Sequence, residues 1–266
     1  MTKAEIFAPA KVNLTLHVTG QRADGYHLLD SLVVFADFGD RMWVQDAPDM
    51  RIDVRGPFAE GVPLDHRNLV WRAAELAGWH GQVQIEKNLP HGAGIGGGSS
   101  DAAALLNWLD HQGFGASLGA DVPVCRIGEA VRMREIGDVL SDVPTLPRLH
   151  AVLVNPGVHV PTPQVFGGLE HKTNPGMEDM WDNPAGFLAW LKHQRNDLEA
   201  PAVQIAPQIS DVLAVLSDQP ACTLARMSGS GSTCFGLFSD AGAAQSAEET
   251  IQSKRPDWWV KSCRLG

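Results

Sequence analysis

The amino-acid sequence predicts an α+β fold in two domains. The chain has 266 residues, and a typical domain has roughly 150, so we expect domains at 1–147 and 148–266. Segments with strand and helix patterns are mixed without a regular βαβ rhythm, which favours α+β over a parallel sheet. Hydrophobic residues make up 44% of the chain and charged residues 20%, as in ordinary globular proteins.

The N-terminal half is predicted to contain short strands and one clear helix. Residues 12–19 alternate strictly between apolar and polar, which predicts a half-buried strand. Helical spacing of apolar residues begins at Asn68 and ends at Gly78. Further strands, separated by Gly, Asp and Pro, are predicted at 32–38, 42–45, 51–55 and 82–87.

The C-terminal half begins after a segment with two prolines, 144–150, which we interpret as the domain joint. Residues 171–183 are polar and contain Gly and Pro, so a loop is expected there. The remaining patterns predict strands at 151–154, 221–227, 233–238 and 258–263, and helices at 185–194, 203–217 and 241–253.

A glycine-rich loop follows the strand predicted at 82–87 and precedes a helix predicted at 99–109. Five of the seven positions from 92 to 98 are glycine. Glycine permits positive φ and lets a ligand approach the backbone, and N–H groups entering a helix attract anions. With Ser99 or Ser100 as N-cap, the loop predicts a phosphate site. Its residues are Pro90, His91, Gly92, Ala93, Gly94, Ile95, Gly96, Gly97, Gly98, Ser99 and Ser100.

The loop does not have the spacing of a Walker A phosphate loop. Gly92, Gly94 and Gly97 do match the dinucleotide fingerprint, with Asp110 at nearly the distance of its ribose-binding acid. That acid belongs at the end of a second parallel strand. Here Asp110 closes the helix itself, so a nicotinamide-dependent oxidoreductase is disfavoured.

Charge and composition exclude several other classes. The net charge of -10 argues against a nucleic-acid partner, and no stretch approaches the roughly 20 apolar residues of a membrane span. The N-terminal segment does not resemble a secretory signal, so we expect a cytoplasmic protein. The four cysteines form no C-x-x-C pair, which favours reduced thiols over a zinc site.

Three further features carry possible chemistry, and each also has a simpler interpretation. Lys11 lies at the start of a predicted strand and could be an ordinary exposed lysine. Asp121 is flanked by small and apolar residues, and is either a semi-buried acid poised for proton chemistry or a turn residue. The loop 226–232 consists largely of Ser and Gly, and such a loop is more often a simple hairpin than a ligand site.

These segments, in this order, resemble the GHMP kinase superfamily. The glycine loop alone indicates the superfamily, and the run 22–27, Arg-Ala-Asp-Gly-Tyr-His, is similar to the branch that acts on a cytidine-diphosphate sugar alcohol. The matching segments are 9–14 with 20–27, 90–103, 119–123, 195–199 and 226–231.

The resemblance implies two α+β domains with the active site between them, and an ATP-dependent kinase that uses Mg²⁺. By the same match, Asp121 is the catalytic aspartate and Lys11 its partner. Asn13, Tyr26 and His27 fall where the family holds the cytidine-diphosphate part of the small-molecule substrate, and the segment of Phe166 supplies an aromatic ring to the cytosine. We expect a monomer or weak homodimer.

Two alternatives stay open at this point. The chain could be another GHMP kinase, such as a homoserine or mevalonate kinase, although the segment containing Tyr26 and His27 argues against this. It could also be a nucleotide-binding protein without turnover, although the presence of both Lys11 and Asp121 argues against that.

No protein ligand for Mg²⁺ is assigned, and Ser100 is the one candidate. The segment between Ser100 and Asp121 is shorter than is usual in the family, which predicts a short helix and a tight connection.

Overall fold

A computed structural model describes residues 3–266 of the chain. In chain order its elements are β1 (Ala4–Asn13), β2 (His17–Gln21), β3 (His27–Asp46), β4 (Arg51–Arg55), α1 (Leu69–Leu76), β5 (Gly81–Glu86), α2 (Gly97–Trp108), α3 (Val122–Ile127), β6 (Val131–Glu135), β7 (Val139–Ser141), β8 (Leu149–Asn155), α4 (Thr162–Gly167), α5 (Phe187–His193), α6 (Glu199–Ile205), α7 (Gln208–Ser217), β9 (Cys222–Met227), β10 (Cys234–Phe238), α8 (Ala241–Lys254) and β11 (Trp259–Leu265).

The residues group into two compact units, each built from separate stretches of chain. The first unit holds the described residues up to Lys11 together with Phe38–His91 and Gly96–Gly128. The second unit holds Val12–Asp37, Gly92–Ile95 and Glu129–Gly266. The boundary at 147/148 is not one of the points where the chain passes from one unit to the other. As a division between family domains it stays a prediction.

The first unit combines a small sheet with three helices. Residues 41–46 of β3 pair with β5 in antiparallel register, and β4 pairs with β5 in parallel register. Helix α1 contacts α2, and α2 contacts α3. The start of α1 is as predicted, because the side chain of Asn68 accepts a hydrogen bond from the Val70 N–H and caps the helix.

The second unit is built mainly on antiparallel strands. Strand β8 pairs with β10 on one side and β11 on the other, and β10 also pairs with β9. The first residues of β3 pair with β2 and β6, and β6 pairs with β7. Helices α7 and α8 contact these strands, and their apolar faces enter one core through residues such as Ile209, Leu216 and Ile251.

The strand predicted at 12–19 is wrong in two respects. It divides into the end of β1 and the start of β2, and Leu14, Thr15 and Leu16 between them are all buried. The Thr15 hydroxyl accepts a hydrogen bond from the Leu32 N–H at 2.8 Å. At this point a side-chain oxygen thus takes the place of the backbone carbonyl that would accept this bond in a regular sheet. Leu16 instead bridges to Asn196.

The two strands predicted at 32–38 and 42–45 are a single strand, β3. Gly39 does not interrupt it. A Cβ at this position would lie 2.1 Å from the Ala8 carbonyl oxygen and 2.7 Å from the Pro9 Cα. The glycine is therefore required by the close approach of β1, and it does not mark a turn.

The helix predicted at 203–217 is two helices, α6 and α7. Ala206 has φ -133° and ψ 87°, outside the helical region, because the residue before a proline avoids that region. Pro207 then stands at the start of α7. The elements α3, α4, β6 and β7 were not predicted, because each has seven or fewer residues and short segments carry little periodic signal.

A buried group of three charges lies under the first turn of α2. The Lys87 ammonium donates to Asp101 Oδ2 at 2.8 Å and also to Asp40 Oδ2. A Cβ on Gly97 would lie 3.5 Å from Lys87 Nζ. Burial alone would lower the pKa of Lys87, but Asp101 and Asp40 outweigh it and raise that pKa. The charges join β3, β5 and α2 within the first unit.

Within this group, Asp101 has a pKa raised above the usual value of an aspartate. Burial raises the pKa of Asp101 to about 7, against the lowering effect of Lys87. Its Oδ1 is buried and has no hydrogen-bond partner within the described part of the chain. A neutral carboxyl group tolerates this position better than a carboxylate does.

No helix within residues 3–266 is long and apolar enough to cross a membrane. The four cysteines are free thiols, as expected, with Cys125 and Cys234 buried.

Replacing Gly39 by Ala should destabilise the first unit. The new methyl group would meet backbone atoms of Ala8 and Pro9, which cannot move as a flexible side chain can, so we expect a loss of at least about 2 kcal/mol in the free energy of unfolding. Gly167→Ala is the control, since no atom lies within 4 Å of its added Cβ. Urea unfolding measures both, and equal stabilities would contradict the close approach of β1.

Asp101→Asn should flatten the pH dependence of stability. Because the folded pKa of Asp101 lies near 7 and the unfolded pKa near 4, the folded state binds the proton more tightly. This group's contribution is full below about pH 4 and is lost as the pH rises through about 7. Wild-type stability should therefore fall between pH 5 and 8 more steeply than that of the variant, by up to about 1 kcal/mol per pH unit.

Urea unfolding at four pH values tests this expectation. Asp49→Asn serves as the control, because Asp49 is exposed in the turn between β3 and β4. Parallel curves for wild type and Asp101→Asn would show that Asp101 is ionised throughout this range.

Candidate active site

The glycine loop alternates between buried anchors and left-handed glycines. Gly92, Gly94 and Gly96 have φ of 56°, 72° and 65°, a region that only glycine enters without strain. Ala93 and Ile95, between them, are buried. The small and apolar side chains fix the loop to the protein, while the glycines leave the backbone approachable by a ligand.

Helix α2 begins earlier than predicted. Its N-cap is Gly96 and not Ser99 or Ser100, and no side chain caps it. Ser100 donates its hydroxyl hydrogen to the Pro9 carbonyl at 2.7 Å and its N–H to the Gly96 carbonyl at 2.8 Å. Ser100 therefore ties the helix to β1. The N–H groups of 97–99, in the first turn, have no acceptor within the helix by its geometry, and they carry its positive dipole end.

Lys11 and Asp121 form an ion pair in the first unit, with 2.8 Å between Nζ and Oδ1. Lys11 is only 4% exposed, so the interpretation as an ordinary surface lysine is wrong. The Asp121 side chain is 38% exposed. It occupies the N-cap position of α3 but makes no capping hydrogen bond, so its carboxylate is held by the lysine and remains within reach of a ligand.

The ion pair lies against the glycine loop. A Cβ on Gly96 would come within 3.2 Å of the Lys11 Cβ and 3.5 Å of its Cε. Glycine at this position therefore lets the N-terminus of α2 approach the lysine stem. A positive group, an accessible carboxylate and the N-terminal amides of a helix meet in one compact unit. This set of groups can hold an anion and accept a proton beside it.

The first half of the glycine loop rests on a second loop, residues 228–233, within the second unit. The Thr233 N–H donates to the Ala93 carbonyl, and the Ser228 hydroxyl donates to the Gly94 carbonyl, both at 3.1 Å. A Cβ on Gly94 would lie 2.5 Å from the Ser228 carbonyl oxygen. The 228–233 loop thus connects β9 to β10 and also supports the first half of the glycine loop.

The residues expected to hold the substrate all lie in the second unit. Asn13 is buried, donates its N–H to Ser228 Oγ at 3.0 Å and its Nδ2 to Ser31 Oγ at 2.8 Å, and its Oδ1 has no partner among the described residues. The ring of His27 stacks on Phe166, with centroids 4.8 Å apart and planes 22° from parallel. Tyr26, next to it, is 63% exposed.

The surroundings of His27 favour the neutral form of its ring. Burial lowers its pKa, and Lys172 lowers it further. Its Nε2 is buried and unpartnered within the described chain. The unpartnered atoms of Asn13 and His27 are suited to hydrogen bonds with a polar ligand, because burying such atoms without a partner is costly.

Pro90 and His91, the first two residues of the predicted loop, belong to the first unit, which the chain leaves after His91. Pro90 is buried, and His91 is exposed with its ring edge-on to Phe58 at 6.4 Å. His159 lies beside Gly92, where an added Cβ would be 2.7 Å from its Nδ1.

Two features of the site were not predicted from the sequence. They are the buried charges under α2 and the contacts that support the glycine loop. Lys87 and Asp40 are separated by 47 positions, so their pairing has no local signal. Asp101 follows Ser100 directly. An acidic residue one turn into a helix that begins with glycines was the one local sign of the buried charges. The Ser/Gly composition of 228–233 indicated a loop but not what it contacts.

Two family matches cover parts of the chain. Residues 68–141 match the family described as GHMP kinases N terminal domain, and residues 182–257 match GHMP kinases C terminal. The first match includes the glycine loop and Asp121, and the second includes the 228–233 loop.

Full-length relatives are similar over nearly the whole chain. A 4-diphosphocytidyl-2-C-methyl-D-erythritol kinase of Dinoroseobacter shibae is 56% identical over 265 residues, covering 96% of this chain and 92% of the relative. One from Paracoccus denitrificans is 51% identical, covering 97% and 95%.

Solved structures agree in fold. The crystal structure of a 4-(cytidine 5'-diphospho)-2C-methyl-D-erythritol kinase superposes with a TM-score of 0.79 at 34% identity, covering 99% of each chain. Mevalonate kinase from L. major has a TM-score of 0.69 at 15% identity, covering 99% of this chain and 96% of that one, which shows a shared fold alone. The predicted two-domain α+β fold of this superfamily is confirmed, and the dinucleotide-binding alternative is excluded. The chain belongs to the GHMP kinases and, within them, to the 4-diphosphocytidyl-2-C-methyl-D-erythritol kinase family.

Proposed function

We propose that this chain transfers the γ-phosphoryl group of ATP to the 2-hydroxyl of 4-diphosphocytidyl-2-C-methyl-D-erythritol, a step of the non-mevalonate isoprenoid pathway. Relatives 51–56% identical over nearly full length bear the name of this kinase. The observation that carries the proposal is the Lys11–Asp121 ion pair, 2.8 Å long, beside Gly96 at the N-terminus of α2.

The glycine loop would bind the triphosphate. Positive φ at Gly92, Gly94 and Gly96 and the unsatisfied N–H groups of the first turn of α2 suit an anion with several oxygens. Buried Ala93 and Ile95 keep the loop in this shape before a nucleotide arrives, so little ordering is required on binding. Ser100 supports the loop from beneath and does not contact the phosphates in this proposal, because both of its donors are engaged.

Asp121 would accept the proton of the attacking hydroxyl group. The hydroxyl oxygen then forms a bond to the γ-phosphorus as the bond to the β,γ-bridging oxygen breaks, and ADP leaves with that electron pair. Lys11 would hold the carboxylate in place through the ion pair and add positive charge near the transferred group. Phosphoryl transfer requires little covalent chemistry from the protein, so placing these two groups is the main contribution of the chain.

Mg²⁺ is part of the proposal and would be held mainly by phosphate oxygens. Within residues 3–266, no group of three or more His, Cys, Asp or Glu side chains could hold a metal ion. This fits a nucleotide-bound Mg²⁺, which typically uses one or two carboxylates at most. When bound, it neutralises phosphate charge. Asp121 is the accessible carboxylate next to the loop. The Ser100 hydroxyl donates its hydrogen to the Pro9 carbonyl, and its oxygen lone pairs stay the candidate hydroxyl ligand.

The cytidine part would bind in the second unit. Tyr26 and Phe166 offer aromatic faces to the cytosine, and the unpartnered atoms of His27 and Asn13 offer polar contacts. His27 covers one face of Phe166 in this structure, so a base stacks on the other face or displaces the His27 ring. The neutral state of His27 lets its ring both donate and accept hydrogen bonds.

The alternatives are less well supported. The homoserine kinase from Cytophaga hutchinsonii is 19% identical, against 51–56% for the relatives above. A binding protein without turnover would not require a buried lysine paired with an accessible acid next to the phosphate loop. Product formation from ATP and the cytidine-diphosphate sugar alcohol distinguishes it from an enzyme.

Asp121→Asn should abolish most of the turnover. The amide cannot accept the hydroxyl proton as a base, and loss of a positioned base typically lowers the rate by about 10²–10⁴. We expect kcat to fall by this factor while the KM values change little, measured by ADP release and product mass. Asp110→Asn, in an exposed turn after α2, is the control. Near-full turnover of Asp121→Asn would refute its role.

Replacing Tyr26 and His27 together by Ala should weaken binding of the cytidine-diphosphate substrate. Loss of base stacking costs about 1–3 kcal/mol per aromatic, so the KM for this substrate should rise roughly 10- to 100-fold while the KM for ATP stays near wild type. Phe114→Ala, at another exposed aromatic residue, should change neither. Equal increases for both substrates would contradict the assignment of this site to cytidine.

A further inference from the structure

Asn196 is a buried amide that the reaction itself does not use. It lies between α5 and α6 and forms a parallel bridge with Leu16. Only 7% of the residue is exposed. It belongs to the segment 195–199, which the proposed mechanism does not use.

The Asn196 side chain makes three hydrogen bonds. Nδ2 donates to the Met227 carbonyl at 2.8 Å and to the Gly229 carbonyl at 2.9 Å, while Oδ1 accepts from the Leu198 N–H at 3.0 Å. Both Nδ2 hydrogens are therefore bonded to backbone carbonyls, one at the end of β9 and one near the start of the 228–233 loop. Only a side chain with two donors on one nitrogen and this short reach satisfies both carbonyls.

Glu199, on the first turn of α6, acts on the same segment. Its Oε2 accepts a hydrogen bond from the Met227 N–H at 2.9 Å. Asn196 and Glu199 thus hold both polar backbone groups of Met227. The 228–233 loop leaves β9 in a direction fixed by these two side chains.

The fixed loop is the surface on which the first half of the glycine loop lies. Ser228 donates to the Gly94 carbonyl. Gly229 has φ 56°, and a Cβ there would lie 2.9 Å from the Gly94 carbonyl oxygen. A Cβ on Gly94 would lie 2.8 Å from the Gly231 carbonyl oxygen. The two backbones are packed so closely that a displacement of one must displace the other.

We infer that Asn196 is a positioning residue for nucleotide binding, because it sets the 228–233 loop that supports Gly92–Ile95. The inference rests on the proposed function in that the glycine loop is taken to bind ATP. The path runs from the Asn196 amide to the Gly229 carbonyl, and from Ser228 and Gly229 to Gly94. No atom of Asn196 is required to touch the nucleotide.

The simpler interpretation is that Asn196 only stabilises the start of α6 through the Leu198 N–H. That role would affect the stability of the chain and leave the glycine loop unchanged. The two interpretations therefore differ in what happens at residues 90–100.

The test is Asn196→Ala, with Asn174→Ala as the matched control. Asn174 also donates its Nδ2 to two backbone carbonyls, those of Val18 and His171, in the same unit. Ser228→Ala is the second variant, because it removes the direct bond to Gly94 with a small change in volume and keeps Asn196. It also removes the acceptor of the Asn13 N–H. Each full-length protein is measured for ADP binding by calorimetry, for steady-state kinetics and for amide hydrogen exchange of residues 90–100.

We expect Asn196→Ala to raise the dissociation constant of ADP and the KM for ATP roughly 10- to 100-fold, since small misplacements of a binding loop have effects of this size. Exchange of residues 90–100 should accelerate roughly tenfold or more, while the KM for the cytidine-diphosphate substrate shifts less. Ser228→Ala should change the same quantities in the same direction, and Asn174→Ala should change none of them.

Unchanged ADP binding and unchanged exchange at 90–100 in Asn196→Ala or, if that variant does not fold, in Ser228→Ala would overturn the inference. Failure of the proposed function has a different signature, because wild-type protein would then form no phosphorylated product whatever the variants do. The exchange and ADP measurements would still decide the role of Asn196 in that case.

Discussion

The Lys11–Asp121 ion pair is the interaction on which the site depends. A buried ammonium without a counter-ion would be strongly unfavourable, so the acid must be present for the lysine to stay inside. The same pairing holds the Asp121 carboxylate at a fixed position while its side chain remains 38% exposed. This arrangement requires glycine at position 96, because a side chain there would crowd the side chain of Lys11. The buried ion pair and the proposed reaction therefore both require Lys11, Asp121 and Gly96.

Each unit has its own buried polar contacts, and these support the part of the glycine loop that the unit contains. In the first unit, Lys87, Asp40 and Asp101 hold β5, β3 and α2 together beneath the first turn of α2. In the second unit, Asn196 and Ser228 hold the backbone on which Gly94 lies. A glycine-rich loop has little intrinsic preference for one conformation, so its shape must be imposed by its surroundings. Electrostatic catalysis depends on groups that are in place before the reaction.

The sequence was informative where the signal is local and less so where it depends on packing. The alternation of glycine with Ala93 and Ile95, the start of α1 after Asn68 and the strands β8 to β11 were predictable from neighbouring residues. The burial of Lys11 was not, because a lysine before a strand is usually exposed and only the resemblance paired it with Asp121. Gly39 was misinterpreted as a break, since its reason is the backbone of Ala8 across the sheet. The bonds from Asn196 to Met227 and Gly229 join residues more than 30 positions apart, so no local sequence pattern predicts them.

The most direct measurement is a crystal structure of the protein with a non-hydrolysable ATP analogue and the cytidine-diphosphate sugar alcohol. We expect the triphosphate to lie against the amides of residues 92–99. An Asp121 carboxylate oxygen should lie within hydrogen-bond distance of the 2-hydroxyl group, with Lys11 still paired to it. An Asp121 carboxylate turned toward solvent, away from both the hydroxyl group and the γ-phosphorus, would contradict the account.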